Sequence, residues 1–119
     1  ENLQLVLEFQ PLSPAQQKAR AEELLEESGI TRLRNTLAIQ LSGGERRRLE
    51  IARAIACNPT YLLLDEPFTG IDPIAIQDIQ SLIRYLKGKG IGILLTDHNP
   101  KATLSIVDRA YIIDDGRLI

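Results

Sequence analysis

Three short stretches carry side chains that can do chemistry on a phosphate. They are Leu41-Ser42-Gly43-Gly44-Glu45, then Leu62-Leu63-Leu64-Asp65-Glu66, and a lone histidine, His98. Ser42 with Glu45 three positions later has the spacing of a capping box, in which each side chain satisfies a backbone N–H at a helix start. By itself such a box only begins a helix, a contribution of about 1 kcal/mol. Gly43 and Gly44 directly after the cap change the reading. Glycine in a helix lowers stability by roughly 1 kcal/mol against alanine. It also lets a ligand approach bare N–H groups at the positive end of the helix dipole, which makes an anion site. Arg46, Arg47 and Arg48 sit where cations oppose that dipole. Two readings are open for them: a solvated or partner-facing surface, or charges set against a polyphosphate.

Asp65 and Glu66 end an apolar run and so fall at the carboxyl edge of a sheet, where α/β proteins bind ligands. Successive strand residues point to opposite faces, which gives the two carboxylates different tasks. One would hold Mg²⁺ through water, the other would orient or deprotonate an attacking water. For the pair alone, an ordinary acidic strand-end turn is the favoured reading. His98 follows a second apolar run and is either a surface turn residue or a neutral imidazole donating to a γ-phosphate. Asp72, in Gly70-Ile71-Asp72-Pro73, reads as a turn or helix-cap residue. Cys57 has no second cysteine or histidine beside it and reads as a small core residue. No metal-ligand spacing and no Ser/His/Asp nucleophile arrangement is present.

The elements that must position these residues follow from local signals. Ser13-Pro14 reads as N-cap and first helical residue, with Leu24 and Leu25 apolar before Gly29 stops the helix. Glu22, Glu23, Glu26 and Glu27 read as a solvated face. Residues 32–40 form an irregular approach to a helix over 43 to about 57, which carries Leu49, Ala52, Ile55 and Ala56 on one face and ends at Asn58-Pro59. Residues 61–64 and 91–95 are continuously apolar, the pattern of strands buried on both faces. Between them Ile79, Leu82, Ile83 and Leu86 recur at helical spacing, closed by Gly88 and Gly90. Asn99-Pro100 opens a short helix, and Asp115-Gly116 reads as a hairpin turn. The order strand, helix, strand, helix after residue 60 predicts an α/β fold with a mainly parallel sheet, preceded by a separate helical lobe.

With 119 residues, 44% apolar and 25% charged, the chain has the composition of a globular domain. A net charge of −2 without a basic stripe argues against nucleic acid as a partner. One cysteine points to a reducing compartment, and no apolar run reaches the roughly 20 residues that cross a bilayer. The chain has no methionine and stops within the second arm of the expected hairpin, so it is expected to be a piece of something larger.

In order and spacing, residues 41–45, residues 62–66, Asp72 and His98 resemble the signature motif, Walker B motif, D-loop and H-loop of ATP-binding cassette ATPases. The likeness covers essentially the whole chain, since residues 1–40 fit the helical subdomain that precedes the signature. Residues 41–54, 65–68 and Thr96-Asp97-His98-Asn99 look most like the lipopolysaccharide-export branch. The branched-chain amino-acid importer branch carries a very similar signature helix. The resemblance implies a P-loop NTPase nucleotide-binding domain fragment, with residues 41–119 forming the signature helix and the C-terminal part of the RecA-like core. It implies ATP and Mg²⁺, a homodimer with a second such ATPase subunit, and transmembrane permease subunits on the cytoplasmic face of the inner membrane. Carried over by position, Ser42, Gly43, Gly44 and Glu45 would bind nucleotide held by the opposite subunit. Asp65 would position Mg²⁺, Glu66 would be the catalytic base, Asp72 would couple the two sites and His98 would sense the γ-phosphate. No G-x-x-x-x-G-K-S/T phosphate loop and no upstream glutamine loop occurs in these residues. The chain alone is therefore expected not to hydrolyse ATP. Two other classes compete: a non-catalytic module that offers its signature face to another ATPase, and a soluble cassette ATPase of DNA repair or translation. The latter would bring coiled coils or basic surfaces.

Overall fold

The computed structural model describes residues 1–119. Its first part is helical. α1 (Asn2–Leu7) leads to α2 (Pro14–Glu27), which starts at a complete capping box: Ser13 Oγ accepts from Gln16 N at 3.3 Å, and Gln16 Oε1 accepts from Ser13 N at 2.8 Å. Gly29, at φ +68°, takes the left-handed turn after α2 that a side chain would resist. Two 3₁₀ turns, Thr31–Leu33 and Ala38–Gln40, form the irregular approach to α3 (Gly43–Ile55). Asn58, at φ +50°, then reverses the chain, one of the few non-glycine residue types that tolerates this.

β1 (Tyr61–Asp65), α4 (Pro73–Gly88) and β2 (Gly92–Thr96) make a strand–helix–strand unit. The strands pair in parallel, from Tyr61 opposite Gly92 to Asp65 opposite Thr96. This register brings both carboxyl ends, and the loops after them, to one edge. α5 (Pro100–Leu104) follows β2, and β3 (Ile113–Asp114) pairs antiparallel with β4 (Arg117–Leu118). Asp115 and Gly116, both at positive φ, form the hairpin turn between them. One apolar cluster runs from Leu3, Leu7 and Leu24 through Ile51 and Ile55 to Leu62, Ile79, Leu86 and Ile106. The helical first part thus shares its core with the strand–helix–strand unit instead of standing as the separate lobe expected, because the apolar sides of α1, α2 and α3 pack into one cluster with α4 and β1.

Three further expectations are corrected. The strands are not buried on both faces: Leu62 is buried, while Tyr61 and Leu63 are about three-quarters exposed and Leu94 is exposed too. Helices cover one face only, so the apolar runs alternate between inside and outside. The Tyr61 ring lies across Gly92, where a Cβ would come within 2.5 Å of it. Cys57 is exposed rather than in the core, because α3 ends at Ile55 and Cys57 lies beyond its buried stripe. Of the α2 glutamates, Glu23 and Glu26 are exposed as expected, but Glu27 is not on a solvated face. Glu27 accepts from Lys89 Nζ at 2.7 Å and from Tyr85 Oη at 3.3 Å, and its side chain is only 10% exposed. Glu22 pairs with Arg34 and Glu23 with Arg20. No helix is long and apolar enough to cross a membrane.

Candidate functional site

The candidate residues fall into two groups. The first is the tip of α3. Ser42 caps it, accepting from Glu45 N at 3.2 Å, while Glu45 Oε2 accepts from Ser42 N at 2.9 Å. Arg32 donates to the other Glu45 oxygen at 3.0 Å. The Ser42 N–H first, then the Arg32 guanidinium, hold the Glu45 carboxyl below its ordinary value. The amides of Gly43 and Gly44 belong to the first helical turn and have no acceptor within the helix. Ser42 and Gly43 are exposed and Gly44 is buried. A Cβ on Gly44 would lie 2.5 Å from Ala75 Cβ in α4, whereas one on Gly43 would meet nothing closer than 3.4 Å. Glycine at 44 is therefore required by packing, and glycine at 43 leaves the tip open. Asp72 caps α4 beside this tip, its Oδ1 accepting from Ala75 N at 2.9 Å.

The second group lies at the carboxyl edge of β1 and β2. Asp65, the last residue of β1, accepts from Thr96 Oγ1 at 2.5 Å through Oδ1. Glu66 leaves the strand at φ +49°, a left-handed conformation that costs a non-glycine residue about 1–2 kcal/mol and persists only where surroundings enforce it. Its N–H donates to Thr96 O at 2.8 Å, and its carbonyl accepts from Thr69 N at 3.2 Å and from Arg47 Nη1 at 3.0 Å. So turned, Glu66 places Oε1 3.4 Å from His98 Nδ1. Asp65, Glu66 and His98 are all exposed. If the His98 proton is on Nδ1, facing Glu66, a neutral imidazole leaves Nε2 as an acceptor only; both nitrogens donate when it is protonated.

The structure brings Asp65, Glu66 and His98 together, and separately Ser42, Gly43, Gly44, Glu45 and Asp72. Three side chains that sequence reading did not assign to the site hold it in shape. Thr96 bonds Asp65, and Arg47 bonds the Glu66 carbonyl. Asp97 accepts from Phe68 N at 3.0 Å and Asn99 N at 2.8 Å. Its local signal was an aspartate two residues before an amide in a turn. Arg48 donates to the Gly29 carbonyl at 3.1 Å. Two of the three arginines after Glu45 thus tie α3 to neighbouring backbone, which corrects the reading of all three as solvated or partner-facing surface. Exposed N–H and hydroxyl donors at the α3 tip suit an anion. The chain contains no group of three or more metal-ligating side chains, so any cation here would take most of its ligands from water or phosphate, which suits Mg²⁺.

A family model described as ABC transporter matches residues 1–69. The lipopolysaccharide export system ATP-binding protein LptB of Acidithiobacillus ferridurans is 55% identical over 119 residues, covering all of this chain and 49% of the relative. An ABC transporter ATP-binding protein of Rhizobium meliloti is 53% identical, again over the whole chain and 44% of its own length. The chain spans about half the length of the curated relatives it matches. Among solved structures, the ADP conformation of MJ1267, an ATP-binding cassette of an ABC transporter, aligns at a TM-score of 0.84 and 31% identity. That alignment covers 99% of this chain and 52% of MJ1267.

Proposed function

Because the chain belongs to the ABC transporter family, whose solved cassettes share its fold, we propose that it is the C-terminal part of an ATP-hydrolysing subunit that powers transport. In this reading residues 1–40 are part of the helical subdomain, and residues 41–119 supply the signature helix and part of the ATPase core. The exposed face of β1 and β2 would be covered by the rest of that core.

One observation carries the reading: the donors and the carboxylates form two separate groups. The α3 tip offers a hydroxyl and free amides on the start of α4, while Asp65 and Glu66 offer negative charge at the sheet edge. A triphosphate is attracted to the first and repelled by the second unless a cation intervenes. Two subunits facing head to tail reconcile these demands, with the α3 tip of one meeting the phosphates held by the other. Ser42, Gly43 and Gly44 then bind the terminal phosphate, with Glu45 locking the cap and Asp72 beside it. Asp65 would hold Mg²⁺, which supplies charge neutralisation of the phosphates. Glu66 accepts the proton of the attacking water, and His98, next to Glu66, donates to the γ-phosphate from Nε2 in the tautomer that carries its proton there. A triphosphate that binds only the paired form draws the two subunits together. That closure would drive transmembrane permease partners at the cytoplasmic face of the inner membrane. No phosphate loop lies in these residues, so the 119-residue chain alone binds ATP weakly and does not turn it over.

Lipopolysaccharide is the cargo class best supported, by the LptB relative. The Rhizobium meliloti relative, nearly as similar and without a named cargo, keeps cargo a matter for the permease. The test is Glu66→Gln in the full-length subunit. ATP should stay bound, the dimer should be trapped closed, and turnover should fall at least about 100-fold. Ordinary turnover in that variant removes Glu66 from the role of base.

A further inference from the structure

We propose that Asp97 is a positioning residue for the reaction, a clamp that fixes Glu66 and His98 relative to each other. The inference rests on the ATPase reading above.

The two side chains that face one another come from two different loops. Glu66 begins the loop after β1, and His98 lies in the loop after β2. Parallel pairing aligns the strands as far as Asp65 and Thr96, and the Glu66 N–H bond to Thr96 O carries the link one residue further. Beyond Glu66 no backbone bond joins the two loops. Asp97 closes the gap with both of its oxygens. Oδ2 accepts from Phe68 N, 29 residues away in the first loop, and Oδ1 accepts from Asn99 N in its own. Phe68 and Pro67 are buried, so the first loop is anchored at the point where Asp97 grips it. A plain turn or cap role does not account for this. An aspartate in an Asx turn needs only the bond to Asn99 N. α5 already has its cap, since Asn99 Oδ1 accepts from Ala102 N at 3.1 Å. The bond to Phe68 N has one evident consequence: it locks the carboxyl edge of β1 to that of β2 next to Glu66 and His98.

A carboxylate is required, because two N–H groups converge on it from opposite sides. In Asp97→Asn one oxygen still accepts, but the amide nitrogen turns a donor toward the other N–H. One of the two loops is released while size and shape are kept. Misplacement of reacting groups by about 1 Å costs roughly 100-fold in rate.

The experiment uses the full-length subunit with its partners, measuring ATP turnover and affinity for a non-hydrolysable ATP analogue, with rates normalised to analogue-binding sites. Asp97→Asn should lower kcat by about 10- to 100-fold with KM and analogue affinity within about threefold. Asp97→Ala, which releases both loops, should lose at least as much. In single-turnover assays, Asp97→Asn should cost far less in a Glu66→Gln background than in the wild type, since one of the two groups it positions is already gone. A multiplicative loss in the double variant, or an affinity that falls in step with kcat, overturns the clamp. So does an unchanged kcat in Asp97→Asn when Glu66→Gln is inactive. Normal turnover in Glu66→Gln strikes at the ATPase reading itself and takes the clamp down with it.

Discussion

Gly44→Ala separates two reasons for a glycine pair at a helix tip, because they predict opposite signs. If glycine at 44 served only ligand access, alanine would improve the helix by up to about 1 kcal/mol. The packing says otherwise. The new methyl would lie 2.5 Å from Ala75 Cβ, against the roughly 3.5–4.0 Å at which carbon atoms rest in contact. The starts of α3 and α4 would have to part by about 1 Å or more. Overpacking of this kind costs about 1–3 kcal/mol, which against a propensity gain of up to about 1 kcal/mol leaves a net loss of up to about 2 kcal/mol. In a subunit of twice this length, each kcal/mol lowers Tm by about 3 °C. The fall should therefore reach up to about 6 °C, followed by circular dichroism on heating and checked by urea denaturation. The second-site test is sharper. Ala75→Gly alone should destabilise, by up to about 1 kcal/mol, yet added to Gly44→Ala it should restore stability, because it removes the opposing methyl. A rise in Tm for Gly44→Ala, or no recovery in the double variant, would refute the packing argument. Gly43→Ala is the counterpart. Its methyl meets neighbours at 3.4 Å and no closer, so Tm should hold or rise slightly, while ATP turnover falls about tenfold or more because the methyl stands at the open side of the tip.

Three further outcomes are expected. The isolated 119-residue chain should release no phosphate from ATP above background, and a turnover that survives rigorous purification would contradict the proposed division of the site. Glu45, with its folded value lowered, favours folding while ionised. That contribution is complete above its unfolded value, near 4.5, and disappears as pH falls through the lower folded one. Glu45→Gln keeps the capping geometry, so its stability deficit at neutral pH should shrink as pH is lowered through that window; a deficit independent of pH would assign the effect to shape instead. Lys89 is raised above its ordinary 10.5, by the hydrogen bond to Glu27 first, so its contribution is present at neutral pH and is lost as pH rises through the raised value. Lys89→Met should cost about 1 kcal/mol at neutral pH, since the lysine is part exposed but Glu27 is left facing only Tyr85. The gap should close in strong alkali, and Glu27→Gln should remove most of it.

What was legible in the sequence was local in the chain. The Ser42–Glu45 capping box announces itself by its three-residue spacing and the Ser13 cap by the proline after it, and the structure forms a full box at both. Pro14, Pro73 and Pro100 mark first turns, and Gly29, Asn58 and the pair Asp115-Gly116 mark reversals at positive φ. The parallel pairing followed from the alternation of strand and helix, and it was enough to bring Asp65 to the same sheet edge as the loop that carries His98. What escaped was set by partners far away in sequence. Whether Leu63 faces a helix or solvent depends on what lies over it, and four consecutive apolar residues read the same in either case. Glu27 reads as one of four solvated glutamates until Lys89 and Tyr85, about 60 residues on, are folded against it.

Gly44 and Asp97 show the same limit at the site itself. A glycine after a helix cap suits an approaching phosphate and an approaching helix equally well, and only the position of Ala75 distinguishes them. An aspartate two residues before Asn99 predicts a turn, yet half of its bonding goes to Phe68, and no periodicity encodes that. The sequence thus displays the groups that could touch a nucleotide, because their chemistry is carried by residue type. It conceals the groups that hold them, because an ordinary carboxylate or methyl acquires that task only from its neighbours in the fold. Gly44, Ala75 and Asp97 hold those groups in place, and substitution there should be the most informative.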